Sequence, residues 1–235
     1  MTEPELRLRR ILLALDAGGA VPSALSLAVT IASRFGGQLE ALLLAQAELT
    51  RAAEFPFASE VSLLFGLERP LNAPIMRRSL QTLSARVQSM MTQLADPARI
   101  PWSLQVTERR QWEGLLAAPG EGSLLVLTHA GHHVLASLAP APGGLYLLHD
   151  DSPAGQLARA LAVALEPQCA HTRWSDPGDA GLSPAADVPE VARLLADLRR
   201  LRPGILILPA ARYREIEGVL RPLIARLECT VLLVG

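Results

Sequence analysis

Apolar positions recur along this chain in two rhythms. Short unbroken runs, Ile11-Leu-Leu-Ala-Leu15 and Leu145-Tyr-Leu-Leu148, are each closed by an acidic residue, Asp16 directly and Asp150 after His149. Each is then followed by an Ala/Leu-rich stretch with apolar residues three and four apart. A run too short to cross a membrane and apolar on both faces is the pattern of a parallel strand buried between helices. The 3.6-residue period after it marks the amphipathic helix that covers it. Strand, acidic residue and helix occur twice in the same order, so the pattern predicts a tandem α/β protein.

In the first half, 11–15 reads as a strand and 23–35 as a helix closed by Gly36-Gly37, since glycine adopts the left-handed conformation of a helix end without strain. A second strand, 39–45, completes a β-α-β crossover that should be parallel. Residues 48–73 form a long irregular excursion containing Phe55-Pro-Phe57 and Phe65-Gly-Leu67. It is too apolar for a free linker, and is expected to fold over a cleft or into a partner interface. A helix over 75–94 follows, its stripe of Leu80, Leu83, Val87, Met90, Met91 and Leu94 facing the core, where paired methionines serve packing. Then come a strand at 102–106, a short helix at 111–118 stopped by Pro119-Gly120, and a strand at 123–127.

Leu138-Ala-Pro-Ala-Pro-Gly-Gly144 suits no element interior and marks a hinge, dividing the chain into units 1–139 and 140–235. The second unit reads as strand 145–149, helix 154–165, a weak strand near 170–174, a polar loop at 175–188, helix 189–201, strand 205–208, helix 215–227 and closing strand 230–234. It is the shorter of the two and has no counterpart of the excursion or of the long helix.

Composition narrows the function classes. With 50% hydrophobic and 19% charged residues, disorder is not expected. A formal net charge of -1 offers nucleic acid no basic surface, and the short Arg7-Leu-Arg-Arg10 and Arg199-Arg200 clusters read as solvated flanks of elements. All 22 basic residues are arginine, which removes phosphate-loop, Schiff-base and kinase-type lysine chemistry together. Cys169 and Cys229 lack metal-type spacing and read as buried thiols of a cytoplasmic protein. No export signal stands at the N-terminus, and no apolar stretch approaches the roughly 20 residues that span a bilayer. His129, His132 and His133 are the only histidine cluster, but no cysteine or carboxylate lies alongside, so they read as loop residues or anion donors rather than a metal site. No Gly-x-Ser-x-Gly elbow or cysteine at a strand-to-helix turn supports a nucleophile.

Several of these segments resemble the universal stress protein family, a Rossmann-like group of adenine-nucleotide-binding α/β domains. The resemblance lies in Ile11-Leu-Leu-Ala-Leu-Asp16, the Ala-rich helix ending Arg34-Phe-Gly-Gly37, Leu39-Glu-Ala-Leu-Leu-Leu44, Ser123-Leu-Leu-Val-Leu-Thr-His-Ala-Gly131 and the closing Glu228-Cys-Thr-Val-Leu-Leu-Val234. It implies two fused Rossmann-like units with parallel sheets, the second truncated. It also implies either a homodimer or an intramolecular pseudo-dimer packed through the last strand, and a role in the stress response.

Family members that hold ATP do so with the acidic residue after the first strand, backbone of the second strand, and a Gly-x2-Gly-x9-Gly-Ser/Thr loop after the fourth. Glycines there let backbone amides approach phosphates, and the following helix N-terminus adds a favourable dipole. Here Thr128 stands at the first glycine position, Gly131 at the second and Ala141 at the third. The second unit has Leu208-Pro-Ala-Ala-Arg212 instead, where Pro209 lacks an amide, and should hold no triphosphate. The surviving floor of a site comprises Ala14, Leu15 and Asp16, Leu44 and Ala45, and Thr128, His129 and Gly131. Asp16 also reads as a turn residue before Gly18-Gly19, and Asp150-Asp151 as a helix start.

The expectation is a non-catalytic regulatory protein with a weak site for ATP, AMP or another small ligand in the first unit. The alternatives are a scaffold binding a protein partner through 55–67 without nucleotide, and a slow nucleotide hydrolase.

Overall fold

The computed structural model describes residues 7–15, 21–45, 52–53, 55, 57–61, 68–70, 72–108, 120–127, 144–165, 172–175, 188–227 and 229–235. Apolar runs become strands where expected: β1 (Arg10–Leu15), β2 (Gln38–Ala45), β5 (Trp102–Glu108) and β6 (Ser123–Leu127) in the first half. β7 (Leu145–Leu148), β8 (Thr172–Ser175), β9 (Ile205–Pro209) and β10 (Thr230–Val234) follow in the second. Two further strands, β3 (Ser59–Val61) and β4 (Glu68–Pro70), pair antiparallel inside the excursion. Five helices are described: α1 (Val21–Phe35), α2 (Ala73–Ala95), α3 (Pro153–Leu165), α4 (Val188–Leu201) and α5 (Ala210–Leu227).

Eight strands form one sheet in the order β5-β2-β1-β6-β10-β9-β7-β8. The first four are mutually parallel and so are the last four, as the crossovers require. The blocks meet at a single antiparallel seam, Leu127 opposite Val231 through Leu124 opposite Val234. The sequence predicts a separate parallel sheet for each unit; the described strands of both units instead join in this one sheet, because β10 pairs with β6 across the seam as well as with β9 beside it. The boundary at 139/140 and the helix at 111–118 lie outside the described residues. Though shorter in residues, the second half contributes as many strands to the sheet as the first.

The two blocks repeat one another in register. Ile11, Leu12 and Leu13 stand opposite Leu124, Leu125 and Val126, and Leu145, Tyr146 and Leu147 opposite Ile205, Leu206 and Ile207. Faces match too. Ile11, Leu13, Leu145 and Leu147 enter the core beneath α1, α2 and α3, while Leu12, Ala14, Tyr146 and Leu148 enter the opposite core with α4 and α5. Burial on both faces explains why the strands are continuously apolar rather than alternating. Along α2 five of the six stripe residues face the core as expected, Val87 and Met91 fully buried and Leu80, Leu83 and Met90 packed against it, but Leu94, in the last turn, is exposed instead.

Local chemistry sets the ends of these elements. Asn72 caps α2 by accepting the Ile75 amide through Oδ1, with Pro74 in the first turn where its missing N–H costs nothing. Gly36 and Gly37 close α1 at φ of 74° and 96°, the left-handed conformation read from the sequence. Across the seam, Arg34 at the end of α1 donates to the Ala164 carbonyl of α3, a cation at a helix C-terminus.

Candidate functional site

The antiparallel seam puts the carboxyl ends of the two parallel blocks at opposite ends of the sheet, top and bottom along the strand direction. In an open parallel sheet, ligands bind beyond the carboxyl ends where successive connections leave in opposite directions. In the first half that point lies between β1 and β6, since β1 is flanked by β2 on one side and β6 on the other. In the second half it lies between β7 and β9.

At the first crevice, β1 and β6 end side by side, with Ala14 opposite Leu127, and Leu15 lies opposite Leu43 of β2. Ala14 and Leu15 are both buried, on opposite faces, so their side chains serve packing and the crevice receives only their backbone. Leu44 and Ala45 continue β2 and pair with Thr107 and Glu108 of β5, one strand further from the switch point. Of the eight residues expected in the site, the structure brings Ala14 and Leu15 to the crevice and sets Leu44 and Ala45 to one side of it. Asp16, Thr128, His129 and Gly131 lie outside the described residues, as do His132 and His133.

The second crevice is described in more detail, and the described side chains at its margin bond to one another. Asp150, counted from the shared register, corresponds to position 16. Its Oδ1 accepts the Ser152 amide at 3.1 Å and also the Ser152 hydroxyl, while Ser152 Oγ accepts the Gly155 amide at 3.0 Å. This is a helix-start arrangement, and it satisfies donors in the first turn of α3. The turn is so tight that a Cβ on Gly155 would lie 2.0 Å from the Asp150 carbonyl oxygen. On the other side, Arg212 Nε stands 3.8 Å from Asp150 Oδ2, and its Nη1 donates to Glu215 at 2.8 Å. Arg212 thus links the start of α5 to the end of β7.

The sequence places a loop at 208–212 and the start of α5 at Glu215; the helix instead begins at Ala210, directly after Pro209 ends β9. No Ser, Thr, Asp or Asn announces this start. Ala210 and Ala211 are strong helix formers, Arg212 pairs with Glu215 within the first turn, and Tyr213 and Ile216 pack into the core, all of which favour a helix here without a side-chain cap. A strand that passes straight into a helix leaves no room for a phosphate loop. Pro222 inside α5 is a further departure from the sequence signals.

Two other features bear on chemistry. Cys229 is buried, and desolvation, partly offset by a backbone hydrogen bond, raises its thiol from 9.0 to about 11, so it stays protonated and inert at neutral pH. Among the described residues no three His, Cys, Asp or Glu side chains converge as metal ligands. The Arg10–Glu40 ion pair in the first half is structural. Glu40 faces the α4/α5 side of the sheet and accepts Arg10 Nε at 2.7 Å and Nη2 at 2.5 Å, a two-pronged contact at the amino ends of β1 and β2, away from the crevice. The sequence signal for it was a carboxylate within an otherwise apolar strand, Leu39-Glu-Ala-Leu.

Within the excursion, Phe55 and Phe57 are 57% and 82% exposed and stack with ring centroids 5.7 Å apart. No described helix is long and apolar enough to cross a membrane. No model of a known protein family matches the chain, and no curated protein is significantly similar to it in sequence.

Proposed function

We propose that this protein is a non-catalytic regulatory module of universal-stress-protein type, acting in the cytoplasm in a stress response. In this reading it holds one adenine nucleotide, ATP or AMP, weakly in the crevice of its first half. The observation that carries the reading is the switch point between β1 and β6, where two adjacent parallel strands end together in a doubly wound arrangement. The acidic residue and the Thr128-His-Ala-Gly131 segment follow those strand ends in sequence. The repeated register supports an origin by duplication of one unit, and the engagement of Asp150 by Ser152 and Arg212 within the protein supports a single site per chain. With two of three family glycines replaced, fewer amides face a phosphate chain, which favours weak binding.

Thermal shift and titration calorimetry with ATP, ADP and AMP test this directly. A folded-state site raises the melting temperature by a linkage that grows with ligand concentration, about 2.7 kcal/mol at a hundredfold excess over Kd. The expected result is a stoichiometry of one. Asp16→Ala should abolish the shift, and Arg212→Ala should leave it unchanged. A stoichiometry of two, or a shift that survives Asp16→Ala, overturns the site assignment. If no nucleotide shifts the wild-type protein, the second reading gains: a scaffold that binds a protein partner through the excursion. The exposed Phe55–Phe57 pair favours it, since large aromatic side chains left in water mark interaction surfaces.

A further inference from the structure

The two halves of α2 differ. Its buried residues, Val87, Met91 and Ala95, all stand in the second half, and none from Ala73 to Arg86 is buried. In the first half Ile75, Arg78, Thr82 and Arg86 recur at helical spacing and so share one face, and all four are exposed, Ile75 at 63%. The helix contains no Asp or Glu, and among the described residues no carboxylate pairs with Arg77, Arg78 or Arg86. The β3–β4 register sets Ser59 opposite Pro70, so Phe57 and Asn72, each two residues further on, lie at the same end of that hairpin. The stacked, exposed Phe55–Phe57 pair is thereby brought to the start of α2. The acidic residues of the two strands are engaged between them: Glu60 stands opposite Arg69, and Glu68 accepts the Ser59 hydroxyl.

We propose that the outer face of α2, together with the Phe55–Phe57 pair, binds the surface of an anionic lipid bilayer. Charge complementarity selects an anionic occupant, because the arginines of this helix have neither acidic neighbours on it nor partners elsewhere to neutralise them. The exposed phenylalanines and Ile75 select a layered one. A bilayer surface presents phosphate groups with hydrocarbon directly beneath, so arginine can meet the first while aromatic and aliphatic side chains enter the second. Nucleic acid would engage the arginines but has no apolar layer for Ile75. The contact is peripheral, and it does not depend on whether the first crevice holds a nucleotide.

Co-sedimentation of the full chain with vesicles reads the outcome, comparing mixed phosphatidylcholine and phosphatidylglycerol with phosphatidylcholine alone. Wild-type protein should pellet with the anionic vesicles, and raising the salt concentration should release it. Each arginine near an anionic surface strengthens binding about fivefold, so Arg78→Gln with Arg86→Gln should weaken it about 25-fold. Phe57→Ser, at a side chain 82% exposed, should weaken it as well. All these positions are exposed, and the variants should keep the wild-type melting temperature. Wild-type protein that stays in the supernatant, or binding that survives the arginine replacements, overturns the proposal. Binding that falls with the arginines but is unchanged by Phe57→Ser marks a face for polyanions such as nucleic acid or acidic protein, and overturns the lipid assignment.

Discussion

At the scale of single residues, the buried thiol of Cys229 gives a signed pH dependence. Its folded-state pKa lies above its ordinary value, so the proton is held more tightly in the folded protein. The stabilisation is fully present below about pH 9, where both states are protonated, and is lost as pH rises toward about 11. Urea midpoints measured through this window should fall more steeply for the wild type than for Cys229→Ala, and parallel curves would remove the thiol as the cause. The burial of Cys229 was legible from its place before an apolar strand. The Arg212–Asp150 contact was not, because 62 positions separate its partners and nothing local to either residue announces the other.

Elements show which local signals outrank others. α2 carried an Asn cap, an early proline and a sustained apolar stripe, and its predicted and observed spans nearly coincide. α5 had no such start signal, and its first turn is decided by alanine propensity, an ion pair and packing of Tyr213 and Ile216 into the core. The turn from β7 into α3 depends on Gly155, where there is no space for a side chain beside the Asp150 carbonyl. Gly155→Ala should therefore destabilise the protein by about 3 kcal/mol, as overpacking against backbone does. A denaturation curve coinciding with that of the wild type would show that the turn opens without cost. The helix-start reading of Asp150-Asp151 is borne out: the Ser152 amide donates to Asp150 Oδ1, and the Gly155 amide donates to Ser152 Oγ.

For the whole molecule, the seam is the decisive feature. β10 is the last strand in the chain yet lies in the interior of the sheet, pairing with β6 on one side and β9 on the other. Its Val231, Leu232, Leu233 and Val234 are fully buried and divide between both cores. Removing residues 229–235 should expose two strand edges and both cores at once, which costs more than the 5–15 kcal/mol that typically stabilises a domain. The truncated chain is expected in the insoluble fraction or without a cooperative thermal transition. A soluble truncation with a sharp melting transition would mean that the two blocks fold without their shared strand.

The sequence by itself determined the class of structure, nearly every strand and helix, and the repeat of strand, acidic residue and helix. These follow from periodicity and local propensity, which act over a few residues and so are written in consecutive positions. Only the tertiary structure decided that the two blocks share one sheet, that their crevices face opposite ends of it, and that Arg212 approaches Asp150 at one of them. Strand order and pairing direction depend on contacts between distant segments, and an apolar strand such as Thr230–Val234 presents the same pattern whether its neighbour runs with it or against it.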